Sequence, residues 1–324
     1  SDAAEAFVLI SGIAAGFAYG RKFGIGEKLA TTLRAWRRAA VLYVAQIMTT
    51  VATLAIFSFF ALAWSDPRLF DKINMGRVME DPARALLGIV TLGHQLGYNN
   101  ILSMYAGILL MLPAFLLISR WRLWAMVATS IGLWLIVGLT NFGPRTYPGA
   151  GFWFFNPLSW QVLFIIGIAY NMHIARGGTI PRSKPLMILA AAYLVLACIW
   201  VWVPLWGWER ALGLPRVLSG FDKTFLSLPR LLHVFAAAYL IAVVPGLSAR
   251  FRLGFEHPLA VIGRHGLPIF VLGTLLAITA QAFLTVTYAG TAMSVVIVVA
   301  GIGFHFGYAY YLEWIGRVTR GKAR

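Results

Sequence analysis

The chain has 324 residues, 60% apolar and only 12% charged, about half the charged share of a soluble domain. That balance excludes disorder and excludes the pair of soluble domains that the length alone would allow, and the single cysteine, Cys198, excludes a disulfide scaffold. A net charge of +16 raises the question of nucleic acid, which only the placement of the charges answers.

Nine apolar spans follow one another, at 3–19, 40–64, 100–118, 122–140, 157–174, 186–205, 230–247, 266–285 and 291–312. A bilayer takes about 20 helical residues, so the pattern predicts an all-α polytopic membrane bundle of nine spans. The whole of 1–324 reads as a single transmembrane domain, without a soluble insertion. The first span opens abruptly at Ser1-Asp2-Ala3-Ala4-Glu5, with no initiator Met and no basic signal-peptide region. A parent with one more N-terminal helix, ten spans in all, is expected. Between the second and third spans lies a charge-balanced loop, 65–99, whose stretch from Pro82 to Leu92 is apolar but too short to span. It predicts a re-entrant or interfacial helix.

Sorting charge onto alternate sides resolves the +16. One side collects 18 basic residues, from Arg21, Lys22 and Lys28 through Arg176 to Lys322 and Arg324, against three acidic ones, a balance of +15. The other side keeps nine basic and eight acidic residues, a balance of +1. Basic loops stay in the cytoplasm, so topology accounts for the excess, and no nucleic-acid partner is needed. The lipid bilayer is the partner, and the C-terminus is expected in the cytoplasm.

Several polar groups need more than apolar packing. Gly12, Gly16 and Gly20 recur every four residues, the spacing that lets another helix approach closely. Asp2 and Glu5, three apart, share a helix face near the outer interface. They read either as a solvated helix start or as a carboxylate pair facing a polar cavity. Arg34, Arg37 and Arg38 precede the second span, either as topological charge or as a phosphate grip for a nucleotide-bearing donor. His94, in Gly93-His94-Gln95-Leu96-Gly97-Tyr98-Asn99-Asn100, sits in a polar turn before an apolar span. Aromatics crowd Phe152-Trp153-Phe154-Phe155 and Trp200, Trp202, Trp206 and Trp208, as an interfacial belt or a stacking platform for sugar rings. Arg230 and His233 lie at i, i+3 behind Pro229, at the outer end of a helix where neither suits lipid. His173 suits a helix C-terminus, and His305 is expected to hydrogen-bond across helices. No metal-ligand spacing and no Gly-rich phosphate loop is present in the sequence.

These residues carry a resemblance. Asp2-Ala3-Ala4-Glu5 with Phe7-Val8-Leu9-Ile10-Ser11-Gly12 and Tyr19-Gly20-Arg21 resembles the opening helices of the OpgC family. So do Arg37-Arg38-Ala39 with Leu42-Tyr43-Val44-Ala45, and Asn99-Asn100-Ile101-Leu102-Ser103-Met104-Tyr105. The most specific segments are Phe155-Asn156-Pro157-Leu158-Ser159-Trp160-Gln161 and Asp222-Lys223-Thr224 followed by Arg230-Leu231-Leu232-His233. The resemblance implies an inner-membrane acyltransferase that succinylates osmoregulated periplasmic glucans, and a distant likeness to acyltransferase family 3. In that broad family an Arg-x-x-Arg motif lies near the donor site, matched here by Arg34-Ala35-Trp36-Arg37. The resemblance implies a histidine base on that family's first helix, a segment expected to precede Ser1, and position 46, often His in the related pattern, is Gln46.

On this reading His233, Asp2, Glu5 and Arg230 are the catalytic residues, and Arg34, Arg37 and Arg38 bind the donor. His94, Asn99, Asn156, Trp160, Asp222 and Lys223 bind the glucan acceptor. No tightly bound cofactor is expected; the donor substrate is succinyl-CoA or a similar thioester. The alternative is a transporter or flippase of a glycan or lipid-linked sugar. That reading predicts matched pairs of broken helices in the two halves, and the sequence contains no matched pair.

Overall fold

A computed structural model describes residues 1–24, 26–66, 68–97, 99–203, 213–250 and 252–321. Tyr98, Trp206, Trp208 and Lys322 to Arg324 lie outside the described residues, as do the side chains of Arg21, Asp71 and Arg320. The chain is an all-α polytopic membrane bundle. Its principal helices are α1 (Ala3–Ala15), extended by a π-helical turn at Gly16–Gly20, α2 (Lys28–Trp64), α3 (Pro82–Val90) and α4 (Ile101–Trp121). Then come α5 (Leu123–Thr140), α6 (Pro157–Ala175), α7 (Lys184–Trp202), α8 (Leu228–Val243), α9 (Gly266–Thr287) and α10 (Thr291–Gly321).

Eight helices among the described residues are long and apolar enough to cross a membrane. The seventh expected span, 230–247, departs from that length. It is α8, which ends at Val243 after 16 residues. Val244 is extended because a following proline disfavours the helical region, and Gly246 then turns the chain with φ +75°. The second span begins earlier than hydropathy places it, at Lys28, since the basic stretch before residue 40 contains no helix breaker. The apolar piece of the 65–99 loop is the short helix α3. Its Ala85, Gly88 and Ile89 are buried, while Leu86, Leu87 and Val90 are exposed.

The contacts define two compact units. The first holds Ser1–Tyr43, Ile101–Arg145 and Ala150–Ala249. Its centre is α6, which packs on α1, α4 and α5 and buries Trp160, Phe164 and Ile165 completely. Gly12, Gly16 and Gly20 all turn toward α6, so the four-residue spacing is a packing stripe. A Cβ on Gly12 would stand 2.2 Å from the Phe164 carbonyl oxygen, and one on Gly167 2.4 Å from that of Leu9. Buried polar bonding ties α5 to α6: Ser130 Oγ donates to Gln161 Oε1 at 2.6 Å, and Gln161 Nε2 donates to the Ser130 carbonyl at 2.9 Å.

The second unit holds Val44–Asn100, Thr146–Gly149 and Arg250–Arg324. Its apolar cluster joins Phe57, Phe60 and Ala61 of α2 to Leu69, Met75 and Ile278, Ala282 and Val286 of α9. Among the described residues His305 makes no hydrogen bond across helices. Its Nδ1 meets the Gly301 carbonyl of its own α10 at 2.6 Å, one turn back, because the ring packs on Gly273 of α9, which offers no side chain.

Candidate active site

In the first unit the ends of α1 and α8 and the loop before α8 converge. Asp2 is the N-cap of α1, extended at φ −135° and ψ −167°, and its carboxylate accepts from Ala4 N at 2.9 Å. Glu5 closes the capping box by accepting from Asp2 N at 2.8 Å. The sequence thus places two carboxylates in one helical turn for a local reason. Tertiary structure then gives them cationic partners.

Arg230, in the first turn of α8, donates from Nε to Glu5 Oε1 at 2.6 Å and reaches Asp2 Oδ2 at 3.3 Å. Glu5 is fully buried and the Arg230 side chain is 14% exposed. Lys223 Nζ meets the other side of the cluster, 2.5 Å from Asp2 Oδ2. Burial pushes the Asp2 carboxyl up, but hydrogen bonds from the Lys223 ammonium and the Ala4 amide outweigh it and hold Asp2 well below the usual carboxylate range. His233, one turn after Arg230, places Nδ1 2.6 Å from Ser1 Oγ, which leaves Nε2 for another partner. Asp2, Glu5, Arg230, His233 and Lys223 are therefore brought together.

The Asp222-Lys223-Thr224 loop is fixed from beneath. Trp160 Nε1 donates to the Lys223 carbonyl at 2.8 Å, Asn156 N to the Thr224 carbonyl at 3.2 Å and Trp134 Nε1 to the Leu226 carbonyl at 2.9 Å. Asp222 caps its own turn, accepting from Phe225 N at 3.0 Å. Asn156 and Trp160 are fully buried and their polar atoms meet backbone, Asn156 Nδ2 donating to Phe142 O at 2.8 Å. Phe154 and Phe155 sit under the Lys223 ammonium, their centroids 5.6 and 5.3 Å away. The aromatic stretch mainly packs on itself, with Phe155 edge-on to Trp160 at 4.7 Å.

Arg34, Arg37 and Arg38 lie exposed on the first part of α2. Arg34 is tied to Glu27 at 2.7 Å. They do not join the Asp2–Arg230 cluster by any hydrogen bond or ion pair among the described residues.

His94 and Asn99 belong to the second unit. His94 is 6% exposed, and its Nε2 has no hydrogen-bond partner among the described residues. Burial first, and the Arg77 guanidinium second, pull its imidazole below the ordinary value, against the Asn74 backbone, which raises it. Asn99 donates to Thr53 Oγ1 at 2.7 Å, its backbone carbonyl accepts from Gln46 Nε2 at 2.7 Å, and its side-chain oxygen is buried without a partner among the described residues. Around it Thr49, Thr50 and Thr53 are buried on α2. This threonine face was not anticipated. Its signal was available, since Gln46, Thr49, Thr50 and Thr53 repeat at helical spacing inside an apolar span.

Beside the ionic cluster a cavity of about 570 Å³ is lined by Ser1, Tyr193, Cys198, Trp200, Phe221, Arg230 and His233 among others. Among the described residues no group of three His, Cys, Asp or Glu side chains is placed to hold a metal ion.

No curated protein and no solved structure matches the chain. A family model does, described as OpgC protein and covering residues 1–317, essentially the whole chain. The chain that joins Asp2 and Glu5 to Lys223, Arg230 and His233 belongs to the OpgC family.

Proposed function

We propose that the protein, as one acyltransferase domain, transfers succinyl groups from a thioester such as succinyl-CoA to hydroxyls of osmoregulated periplasmic glucans. Family membership supports acyl transfer. The observation that carries the site is the convergence of Arg230 and His233 with the Asp2–Glu5 pair, across more than 220 residues of chain. An Arg and a His at a helix end beside a cavity support a reading of proton transfer and of stabilising a developing oxyanion.

In this reading His233 takes the proton from a glucan hydroxyl as its oxygen attacks the thioester carbonyl. Guanidinium N–H groups of Arg230 stabilise the tetrahedral oxyanion. Collapse breaks the C–S bond, the proton passes to the departing thiolate, and ester and free thiol leave. Asp2 and Glu5 act through Arg230 as positioning residues. Arg34, Arg37 and Arg38 bind donor phosphates at a cytoplasmic face, and the glucan approaches from the periplasm of an inner-membrane protein whose C-terminus is cytoplasmic. Asn156, Trp160, Asp222 and Lys223 shape the acceptor side, Asn156 and Trp160 by bracing the loop of Lys223.

The test is succinate content of periplasmic glucans by mass spectrometry. Cells carrying His233→Ala lose glucan succinylation at normal membrane abundance of the protein. His305→Ala acts instead through abundance. Normal succinylation by a normally abundant His233→Ala protein removes His233 from the site.

A further inference from the structure

The second unit contains an ionisable side chain that the proposed reaction does not use. His305 stands about 14 residues after Thr291 and about 16 before Gly321 on α10, roughly 21 and 24 Å along the helix axis. It therefore lies near the level of the bilayer centre, away from both headgroup layers. Its Nδ1 is 2.6 Å from the Gly301 carbonyl oxygen. A carbonyl only accepts, so Nδ1 carries the proton, and in the neutral ring Nε2 presents a lone pair. Nε2 has no hydrogen-bond partner among the described residues, yet it is not closed off as the His94 and Trp200 nitrogens are. It lies against Gly273 of α9, where a Cβ would stand 2.6 Å away. Gly273 and His305 both line a cavity of about 510 Å³ along α9 and α10, to which α2 contributes Phe60. That volume falls within the range of small-ligand pockets.

The occupant follows from what the walls offer. Apart from His305 and Thr279 the described lining side chains are apolar, and Thr279 spends its hydroxyl on the Leu275 carbonyl at 2.8 Å. No Lys, Arg, Asp or Glu lines the cavity among the described residues. A phosphate or carboxylate would enter without a counter-charge, which is costly in hydrocarbon. A sugar would leave most of its hydroxyls unpaired. A protonated fatty acid brings a carbonyl as well as a hydroxyl, and the walls hold no free donor for it. One acceptor in an apolar cavity calls for one donor on an apolar body. We propose that this cavity binds an uncharged, membrane-dissolved lipid alcohol, its hydroxyl donating to His305 Nε2 and its chain lying along α9 and α10. At that depth no bulk water satisfies the lone pair, so a hydroxyl donor is favoured over a plain hydrocarbon chain. The site lies within the second unit and does not rest on the succinyl-transfer reading.

Purified full-length protein in nanodiscs is photolabelled with a diazirine-bearing hexadecanol, and the cross-linked peptides are located by mass spectrometry. The competitors are hexadecanol, its methyl ether, which keeps the chain and loses the donor, and hexadecanoic acid. Label is expected on peptides of α9 and α10, with hexadecanol competing roughly threefold to tenfold better than the ether. His305→Phe, which keeps a ring and deletes the lone pair, is expected to erase that difference. Ala277 is exposed and lines the cavity, so Ala277→Phe fills the space from its open side and is expected to cut labelling strongly. The ether comparison is made on the wild-type protein and stands even where His305→Phe fails to fold. Equal competition by alcohol and ether overturns the proposal. Stronger competition by hexadecanoic acid than by the alcohol also overturns it, as does labelling indifferent to Ala277→Phe. Labelling that falls when two copies share one nanodisc makes the cavity an interface between copies and overturns the lipid site.

Discussion

Arg230 and Glu5 lie 225 residues apart in the chain, yet Arg230 Nε donates to Glu5 Oε1 at 2.6 Å, with the carboxylate wholly buried. Their pairing ties the first turn of α1 to the first turn of α8. Breaking a buried pair strands a charge and costs about 3 kcal/mol or more. Glu5→Ala is therefore expected to lower thermal stability strongly, and Arg230→Leu in the same chain to restore much of the loss. Asp2→Asn keeps an N-capping side chain at a position 48% exposed and is expected to cost less than about 1 kcal/mol. Thermal unfolding in detergent checks this, and equal losses for Glu5→Ala and Asp2→Asn would contradict it.

The α1–α6 contact yields a second expectation. A side chain at Gly12 meets the Phe164 backbone itself, which cannot rotate away. Gly12→Ala is expected to cost about 1–3 kcal/mol, and Gly12→Val to abolish the folded protein. Gly132→Ala on α5, where a Cβ meets nothing within 4 Å, is the control and should stay close to wild type. Size-exclusion profiles and unfolding temperatures measure both.

His94 makes stability depend on pH. Burial and Arg77 hold its folded-state pKa below the ordinary 6.5, so below that pH the unfolded chain binds more protons than the folded one. Its contribution is full above about 6.5 and is lost as pH falls through the folded value. His94→Gln is expected to flatten the decline in unfolding temperature between pH 7 and pH 5. An unchanged slope would show that His94 does not titrate in that window.

The donor assignment is tested by comparing two arginines. Arg37→Ala and Arg176→Ala each remove one exposed charge, and a purely topological role makes them equivalent. Donor binding by Arg34, Arg37 and Arg38 predicts a higher apparent KM for the thioester, roughly tenfold, in Arg37→Ala alone. Equal kinetics at matched abundance would reject the assignment.

Much of this was legible in periodicity. The spacing of Asp2 and Glu5, and of Arg230 and His233, placed each pair on one helix face, and the glycine stripe forecast a close helix contact. What periodicity does not carry is which pairs meet. Lys223 and Asp2 are separated by 221 residues, and their contact depends on Trp160 holding a loop carbonyl in place. Hydropathy misjudged helix ends for the same kind of reason. It averages over apolarity and so overlooked Pro245-Gly246, which stops α8, and the polar residues from Lys28 onward, which remain helical. The buried threonine face of α2 is legible at helical spacing, from Gln46 through Thr49 and Thr50 to Thr53, and only an average over apolarity passes it by.

The length of α8 bears on where water begins. Sixteen residues rise about 24 Å, against a hydrocarbon thickness near 30 Å. A bilayer that seals around both ends of such a helix is drawn thin there. Headgroups and solvent then dip toward the helix ends, and Arg230 lies in the first turn. Longer acyl chains deepen that mismatch and raise the work of wetting the ends of α8, and shorter ones relieve it.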